Sequence, residues 1–74
     1  MSIDVESFKK ALGRRVAQLR KEKGFTQAQL GALIDKDFQS ISRLEAGGVN
    51  PSCFLIWQLA KALDVEVGRL FPES

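Results

Sequence analysis

Two short segments in the middle of the chain, each with its own helix-start residue, constrain the fold more than any other feature of the sequence. Thr26 and Gln29 have the T-x-x-Q spacing of a capping box, which predicts the start of one helix. Residues 35–36 form a turn, and Asp37 is placed to cap a second helix that ends at Gly47. The segment therefore predicts two short helices joined by a tight turn.

Apolar residues recur at helical spacing along the rest of the chain, and no stretch shows the sustained alternation of a strand. The apolar stripe of the first helix consists of Phe8, Leu12, Val16 and Leu19. The predicted helices run from about Val5 to Lys23, Gln27 to Ile34, Phe38 to Ala46, Cys53 to Leu63 and Val67 to Phe71. We therefore predict an all-α fold, a compact five-helix bundle.

Size and composition exclude several classes of protein. The 74 residues suffice for one small domain and contain a single cysteine, Cys53, and no histidine. A disulfide within the chain and a Cys/His metal cluster are therefore impossible, and we expect neither a metal nor a cofactor. No apolar run approaches a membrane span, and the N-terminus lacks the features of a signal peptide, so we expect a cytoplasmic protein without a membrane partner.

The positive charge of the chain is concentrated in its first helix. Residues 1–23 hold seven Lys/Arg and three Asp/Glu, whereas residues 24–74 hold four Lys/Arg and six Asp/Glu. Such a basic segment is either an electrostatic footprint for nucleic acid or simply a solvated helix face, and the solvated face is the more common case.

The segment from Thr26 to Gly47 closely resembles the helix-turn-helix of the Xre family of regulators, which includes lambdoid phage repressors and Cro. Two further motifs extend the likeness. The first is Leu12-Gly13-x-x-Val16-x-x-Leu19-Arg20-x-x-Lys23-Gly24-Phe25-Thr26-Gln27, and the second is Asn50-Pro51-Ser52 followed by Ile56, Leu59-Ala60 and Leu63. The resemblance implies one lambda-repressor-like DNA-binding domain over residues 1–74, with the helix-turn-helix at about 26–47 and helices 4 and 5 at about 52–71.

The resemblance also implies a function, that of a sequence-specific regulator of transcription that binds double-stranded DNA as a dimer on a palindromic operator. Its expected location is the cytoplasm of a bacterium or a phage-infected cell, on the nucleoid. Short proteins of this layout include restriction-modification controllers, Cro-like repressors and antitoxins, and the sequence does not separate them. An enzyme is a poor alternative, because the chain shows no nucleophile-base constellation and Cys53 is expected on the core side of its helix.

The second helix of the motif is the one that reads base edges in the family. The implied base contacts are Phe38, Gln39, Ser42 and Arg43. The amide of Gln39 can pair with adenine N6 and N7, and the guanidinium of Arg43 suits guanine O6 and N7. Phe38 either presses on a thymine methyl group or packs on the surface of its own domain, and the sequence leaves both open.

Other polar residues are candidates for contacts with the DNA backbone or for a structural role. The candidate phosphate contacts are Gln27, Arg14, Arg15, Lys23, Lys36, Ser40 and Asn50. Gln27 opens a helix whose N-terminal N–H groups favour an anion. Arg20 and Glu45 occupy positions that form a structural ion pair in the family, although Arg20 could instead be solvated or touch a phosphate.

Three residues depart from the family pattern. Asp35 and Asp64 each replace a usual glycine, and aspartate is among the few residues that tolerate a left-handed backbone. Asp35 and Asp37 also place negative charge near the reading helix, which opposes the approach of phosphates. Gly31 stands where alanine is usual, and we expect it to permit close approach of a neighbouring helix.

Two aromatic residues in the fourth helix, Phe54 and Trp57, are three positions apart. They form either an exposed apolar surface for a homodimer, with Leu70 and Phe71 contributing, or a local core under the last helix. The same surface could bind a partner protein, as in an antitoxin, and this is the alternative function.

Overall fold

The structure, a computed structural model, describes residues 4–72 and contains no strand in that range. Its α-helices are α1 (Val5–Glu22), α2 (Gln27–Leu33), α3 (Phe38–Glu45) and α4 (Cys53–Leu63). The all-α prediction is confirmed, but the fifth α-helix is wrong, because Val67–Arg69 form only a short 3₁₀ turn. Gly68 inside this segment disfavours a helix, and Pro72 prevents its extension. None of the helices in the described range is long and apolar enough to cross a membrane.

Each α-helix begins at a residue whose side chain accepts a hydrogen bond from a backbone N–H of the first turn. The caps are Asp4, Thr26, Asp37 and Ser52. The capping box is complete, since Gln29 N donates to Thr26 Oγ1 at 3.0 Å and Thr26 N donates to Gln29 Oε1 at 2.8 Å. A cap of this kind is worth about 1 kcal/mol, which matters for helices as short as α2 and α3.

The core lies where the four α-helices of the described residues meet. It consists of Leu12, Val16, Leu19, Leu30, Ile34, Ile41, Leu44, Ile56, Leu59, Ala60, Leu63 and Leu70. Leu70 is 0% exposed, so its predicted place in a dimer surface is wrong. The 3₁₀ turn directs Leu70 inward, and a turn so short has no periodicity from which this direction could be read.

Close backbone contacts set the position of α3. A Cβ atom added at Gly13 of α1 would lie 2.5 Å from the carbonyl oxygen of Leu44 and 2.6 Å from that of Glu45. Only glycine therefore lets α1 lie directly against the end of α3. A Cβ at Gly31 would lie 2.5 Å from the carbonyl oxygen of Lys36, so Gly31 makes room for the turn after α2 rather than for a neighbouring helix.

Two turns carry aspartate in a left-handed conformation, as the sequence predicted. Asp35 has φ 59° after α2, and Asp64 has φ 55° at the end of α4. Local carboxylate hydrogen bonding makes this region accessible to Asp at a modest strain. The turn geometry of a glycine is thus retained with a charged residue in its place.

Candidate nucleic-acid interface

The outward face of α3 carries all four residues expected to contact bases. Ile41 and Leu44 point into the core. The exposed residues are Phe38, Gln39, Ser42 and Arg43. Gln39 and Arg43 are four residues apart and so lie one above the other on the same helix surface, with Phe38 and Ser42 forming a parallel pair.

Phe38 is 54% exposed, and its ring stacks on no other aromatic ring of the described residues. Its position therefore suits an apolar contact made outside the chain better than packing on the domain's own surface. A thymine methyl group is the one apolar feature that a DNA major groove offers.

A hydrogen-bonded network ties the end of α3 to α1 and to the start of α2. The Nε of Arg20 donates to Glu45 Oε2 at 2.6 Å, and its Nη2 donates to Glu45 Oε1 at 3.0 Å. This bidentate arrangement is the strong, directional form of an arginine-carboxylate pair. The structure thus contains the ion pair predicted from the sequence, and Arg20 is not solvated.

The remaining donors of the network are also satisfied. Arg20 Nη1 donates to the carbonyl oxygen of Phe25 at 2.8 Å, in the loop between α1 and α2. The hydrogen bond from Arg20 to Glu45 raises the pKa of the guanidinium, burial opposes this, and the carboxylate charge adds to the rise. Every buried polar side-chain atom in residues 4–72 has a hydrogen-bond partner, so the network leaves no buried donor unpaired.

Gln27 has an intramolecular partner that the sequence did not reveal. Its Nε2 donates to Glu45 Oε1 at 3.0 Å, which joins the first residue of α2 to the last residue of α3. A side-chain amide has two N–H donors, so one remains for a phosphate. Residues 18 positions apart leave no local sequence pattern. Only the resemblance of the chain to the family could have suggested this hydrogen bond.

Most of the other residues expected to contact DNA fall into two groups on the surface. Lys36, Ser40 and Arg43 line one shallow depression beside α3. Arg14 and Arg15, in contrast, line a groove at the C-terminal end of the described chain. The remaining candidates, Lys23 and Asn50, are exposed.

Arg15 is already engaged in that groove. Its Nε donates to the carbonyl oxygen of Arg69 at 2.8 Å, and its Nη1 donates to Gln18 Oε1 at 3.1 Å. These bonds use two of the five N–H donors of the guanidinium, so three remain and a phosphate contact by Arg15 stays a prediction.

Away from α3, the aromatic residues of α4 lie on the surface. Phe54 is 64% exposed and Trp57 50% exposed, which excludes the local core. Their rings stack at a centroid distance of 6.1 Å, and the Nζ of Lys61 lies 5.7 Å from the Trp57 ring centroid. Phe71 is also exposed and stacks on Phe8 at 6.2 Å.

The apolar surface also contains a residue that was missed. Leu33 of α2 is 56% exposed and lines a groove with Phe54 and Trp57. Leu33 does not belong to the apolar stripe of Leu30 and Ile34 that faces the core, and this could have indicated from the sequence that it is exposed. Cys53, predicted on the core side, is exposed because it is the first residue of α4 and precedes the turns that are packed.

Comparison with known proteins agrees with this geometry. The profile of the HTH_3 helix-turn-helix family matches residues 16–70. An uncharacterized HTH-type transcriptional regulator of Sinorhizobium fredii, y4dJ, is 40% identical over 57 residues, covering 77% of this chain and 74% of that protein. The competence pilus inhibition repressor of Acinetobacter baylyi is 38% identical over 60 residues, covering 81% of this chain and 54% of the repressor.

Among solved structures, the restriction-modification controller protein C.AhdI from Aeromonas hydrophila superposes with a TM-score of 0.80. It is 37% identical, and the match covers 84% of this chain and 94% of the controller. The likeness therefore extends over both α3 and α4. Sequence profile, relatives and fold agree, and the chain belongs to the HTH_3 helix-turn-helix family, in the Xre-type group that its motifs indicated.

Proposed function

We propose that this protein regulates transcription by binding double-stranded DNA sequence-specifically through α3. The observation that carries the proposal is the exposed polar face of α3, with Gln39 and Arg43 one turn apart on a helix whose other side is locked to α1. A helix of this size fits the major groove of B-DNA, where each base pair presents a distinct pattern of donors and acceptors. The named relatives, a transcriptional regulator and a repressor, support the same function.

The roles of the side chains follow from their chemistry. Gln39 reads adenine, Arg43 reads guanine, Ser42 contacts a base edge or the backbone, and Phe38 covers a thymine methyl group. Phosphate contacts come from the free amide N–H of Gln27, from Lys36 and Ser40 beside α3, and from the exposed Arg14, Lys23 and Asn50. These contacts set the position of the helix but carry no sequence information.

The second part of the proposal is a two-fold homodimer formed through α4 and the 3₁₀ turn, acting on a palindromic operator in the cytoplasm. Phe54 and Trp57 are exposed, aromatic and stacked, which are properties of interface anchors rather than of free surface. Phe71 extends this surface toward the 3₁₀ turn. The two half-sites of such an operator lie about one turn of DNA, roughly 34 Å, apart, so the dimer has to hold its two α3 helices at this spacing.

One selection experiment tests DNA reading. Operators are selected from random double-stranded DNA, and Gln39→Ala and Arg43→Ala are then titrated against the winning sequence and its single-base variants. Each variant should lose about 1–3 kcal/mol of binding and relax the preference at particular base pairs. Gln18→Ala and Lys21→Ala are matched controls, because both side chains are exposed, lie outside α3 and belong to neither the proposed DNA contacts nor the proposed dimer surface.

Two results would count against the proposal. Equal affinity for every sequence would leave only phosphate attraction, which depends on salt and not on bases. A wild-type protein that binds no DNA but captures a protein through Leu33, Phe54 and Trp57 would favour the alternative function, a module that binds a partner protein.

A further inference from the structure

The end of α3 has a geometry that brings residue 48 against the side chain of Arg43. Gly47 N donates to the carbonyl oxygen of Leu44 at 3.1 Å, and Gly48 N donates to that of Arg43 at 2.9 Å. With Gly47 left-handed at φ 85°, these two bonds form a Schellman motif. In this motif the residue after the left-handed position commonly makes a side-chain contact with the residue three before the helix cap, which here is Arg43.

In this chain that position is a glycine, and the stem of Arg43 occupies the space. A Cβ atom added at Gly48 would lie 2.9 Å from Arg43 Cγ, 3.2 Å from its carbonyl oxygen and 3.8 Å from its Cδ. The backbone of Gly48 is not left-handed, so it does not itself require glycine. What glycine provides here is room for Cγ and Cδ, the first atoms of the Arg43 side chain.

No hydrogen bond or salt bridge between described residues holds the Arg43 guanidinium, and the charge of Asp37 acts on it without such a bond. The space beside Gly48 instead bears on the first part of the side chain, because it determines the path open to Cγ and Cδ and so affects where the guanidinium points. A displacement at Cγ is transmitted along the rest of the side chain. The planar fork must meet both guanine acceptors together, so a small change in direction costs base discrimination.

We propose that Gly48 is a specificity-positioning residue, which sets the direction of Arg43 and thereby the strength of guanine reading. The inference rests on the proposed function, in which Arg43 reads a base. Gly48 itself touches no base in this scheme. It acts through the space that it leaves for Arg43.

The test is Gly48→Ala, compared with Gly68→Ala as a matched control. Gly68 undergoes the same chemical change, has no atom within 4 Å of an added Cβ and is not left-handed. At the base pair where Arg43→Ala loses discrimination, Gly48→Ala should reduce the affinity ratio between the preferred and the other bases at least about twofold. This corresponds to the lower end of the coupling energies measured between residues in contact. Preferences at other base pairs should be unchanged. Gly68→Ala should keep the wild-type preference at every base pair, because an effect of the 3₁₀ turn on dimerisation would change the affinity for all sequences alike.

A double variant separates the inference from a general effect on the loop. In the Arg43→Ala background, Gly48→Ala should have no further effect on discrimination. If the effect is as large there as in wild type, or if Gly48→Ala equals wild type while Arg43→Ala does not, the positioning role is overturned. A wild-type protein that selects no sequence would instead refute the proposed function.

Urea unfolding of each variant keeps the test decisive when folding is affected. If Gly48→Ala unfolds because its methyl group meets the Arg43 stem, removal of that stem in the double variant should restore the fold, which supports the contact. A double variant that also remains unfolded would show that the backbone, and not Arg43, requires glycine at this position.

Discussion

The two surfaces to which we assign functions differ in how completely the chain itself supports them. Behind α3, the Gly13 contact and the Arg20–Glu45 pair join this helix to α1. On α4, Phe54 and Trp57 stack on each other with large apolar areas still exposed. The first surface is supported entirely by contacts within one chain, whereas the second has the properties of an interface that a second molecule completes.

Gly13→Ala tests the support behind α3 most severely. Alanine normally stabilises an exposed helix position by about 1 kcal/mol over glycine. Here its methyl group meets the carbonyl oxygens of Leu44 and Glu45, so we expect a destabilisation of about 3 kcal/mol instead. Urea unfolding measures the difference. Gly68→Ala is the control, because an added Cβ there meets no atom within 4 Å. If Gly13→Ala instead raised the free energy of unfolding, the close contact behind α3 would not support this surface.

Glu45→Gln tests the ion pair in the same support. Loss of the carboxylate leaves the Arg20 guanidinium mostly buried without its counter-charge, so we expect a loss of about 2 kcal/mol in unfolding free energy. The exposed pair of Lys9 and Glu6 is the matched control. Glu6→Gln should cost no more than about 1 kcal/mol. Similar losses at the two sites would show that the buried network does not hold α3.

Trp57→Ala tests the other surface. Because the ring is half exposed, its loss should leave the monomer folded and raise the dimer dissociation constant about tenfold or more. Analytical ultracentrifugation over a concentration series measures this. Phe38→Ala removes a comparably exposed ring from α3 and should leave dimerisation unchanged. Wild-type protein that stays monomeric at high micromolar concentration would reject the dimer.

The smallest expected effect concerns the cap of α3. Hydrogen bonds from the backbone N–H and the side chain of Ser40, with a contribution from the charge of Arg43, lower the pKa of the Asp37 carboxyl below 3.8. Because the pKa is lower in the folded protein, the carboxylate stabilises the fold above pH 3.8. This contribution is lost as the pH falls through the pKa that the carboxyl has in the folded protein.

Asp37→Asn keeps a capping oxygen but does not titrate. The unfolding midpoint of this variant should therefore fall less than that of wild type as the pH drops below 3.8. Asp35→Asn is the control, since Asp35 caps no helix. Parallel pH profiles for wild type and Asp37→Asn would show that the cap contributes nothing in its charged form.

The limits of the four α-helices were predictable to within about one residue because the signals are local. Each start is marked by a Ser, Thr or Asp whose side chain caps the next turn, as at Thr26 and Ser52. The two left-handed aspartates were also predictable from residue chemistry and the family pattern. The outward face of α3 followed from the inward direction of Ile41 and Leu44.

What the sequence did not reveal depends on contacts between distant residues. The bond from Arg15 to the carbonyl of Arg69 spans 54 positions, and the bond from Gln27 to Glu45 spans 18. The burial of Leu70 depends on how one short turn folds back onto the core. No local pattern encodes such contacts. The residues whose surroundings were predicted wrongly, Gly31, Cys53 and Leu70, all lie outside α3.

The left-handed backbone at Asp35 has a consequence for how affinity can change. Glycine adopts φ 59° with less strain than aspartate, so an exchange of Asp35 for glycine leaves the path of the turn unaltered. The exchange removes one negative charge from the turn before α3, the helix that we propose to bind DNA. The electrostatic attraction of the protein to DNA can therefore be changed at this turn without a change in the shape of α3. A single substitution would then alter the fraction of binding sites occupied while the preference among sequences is kept.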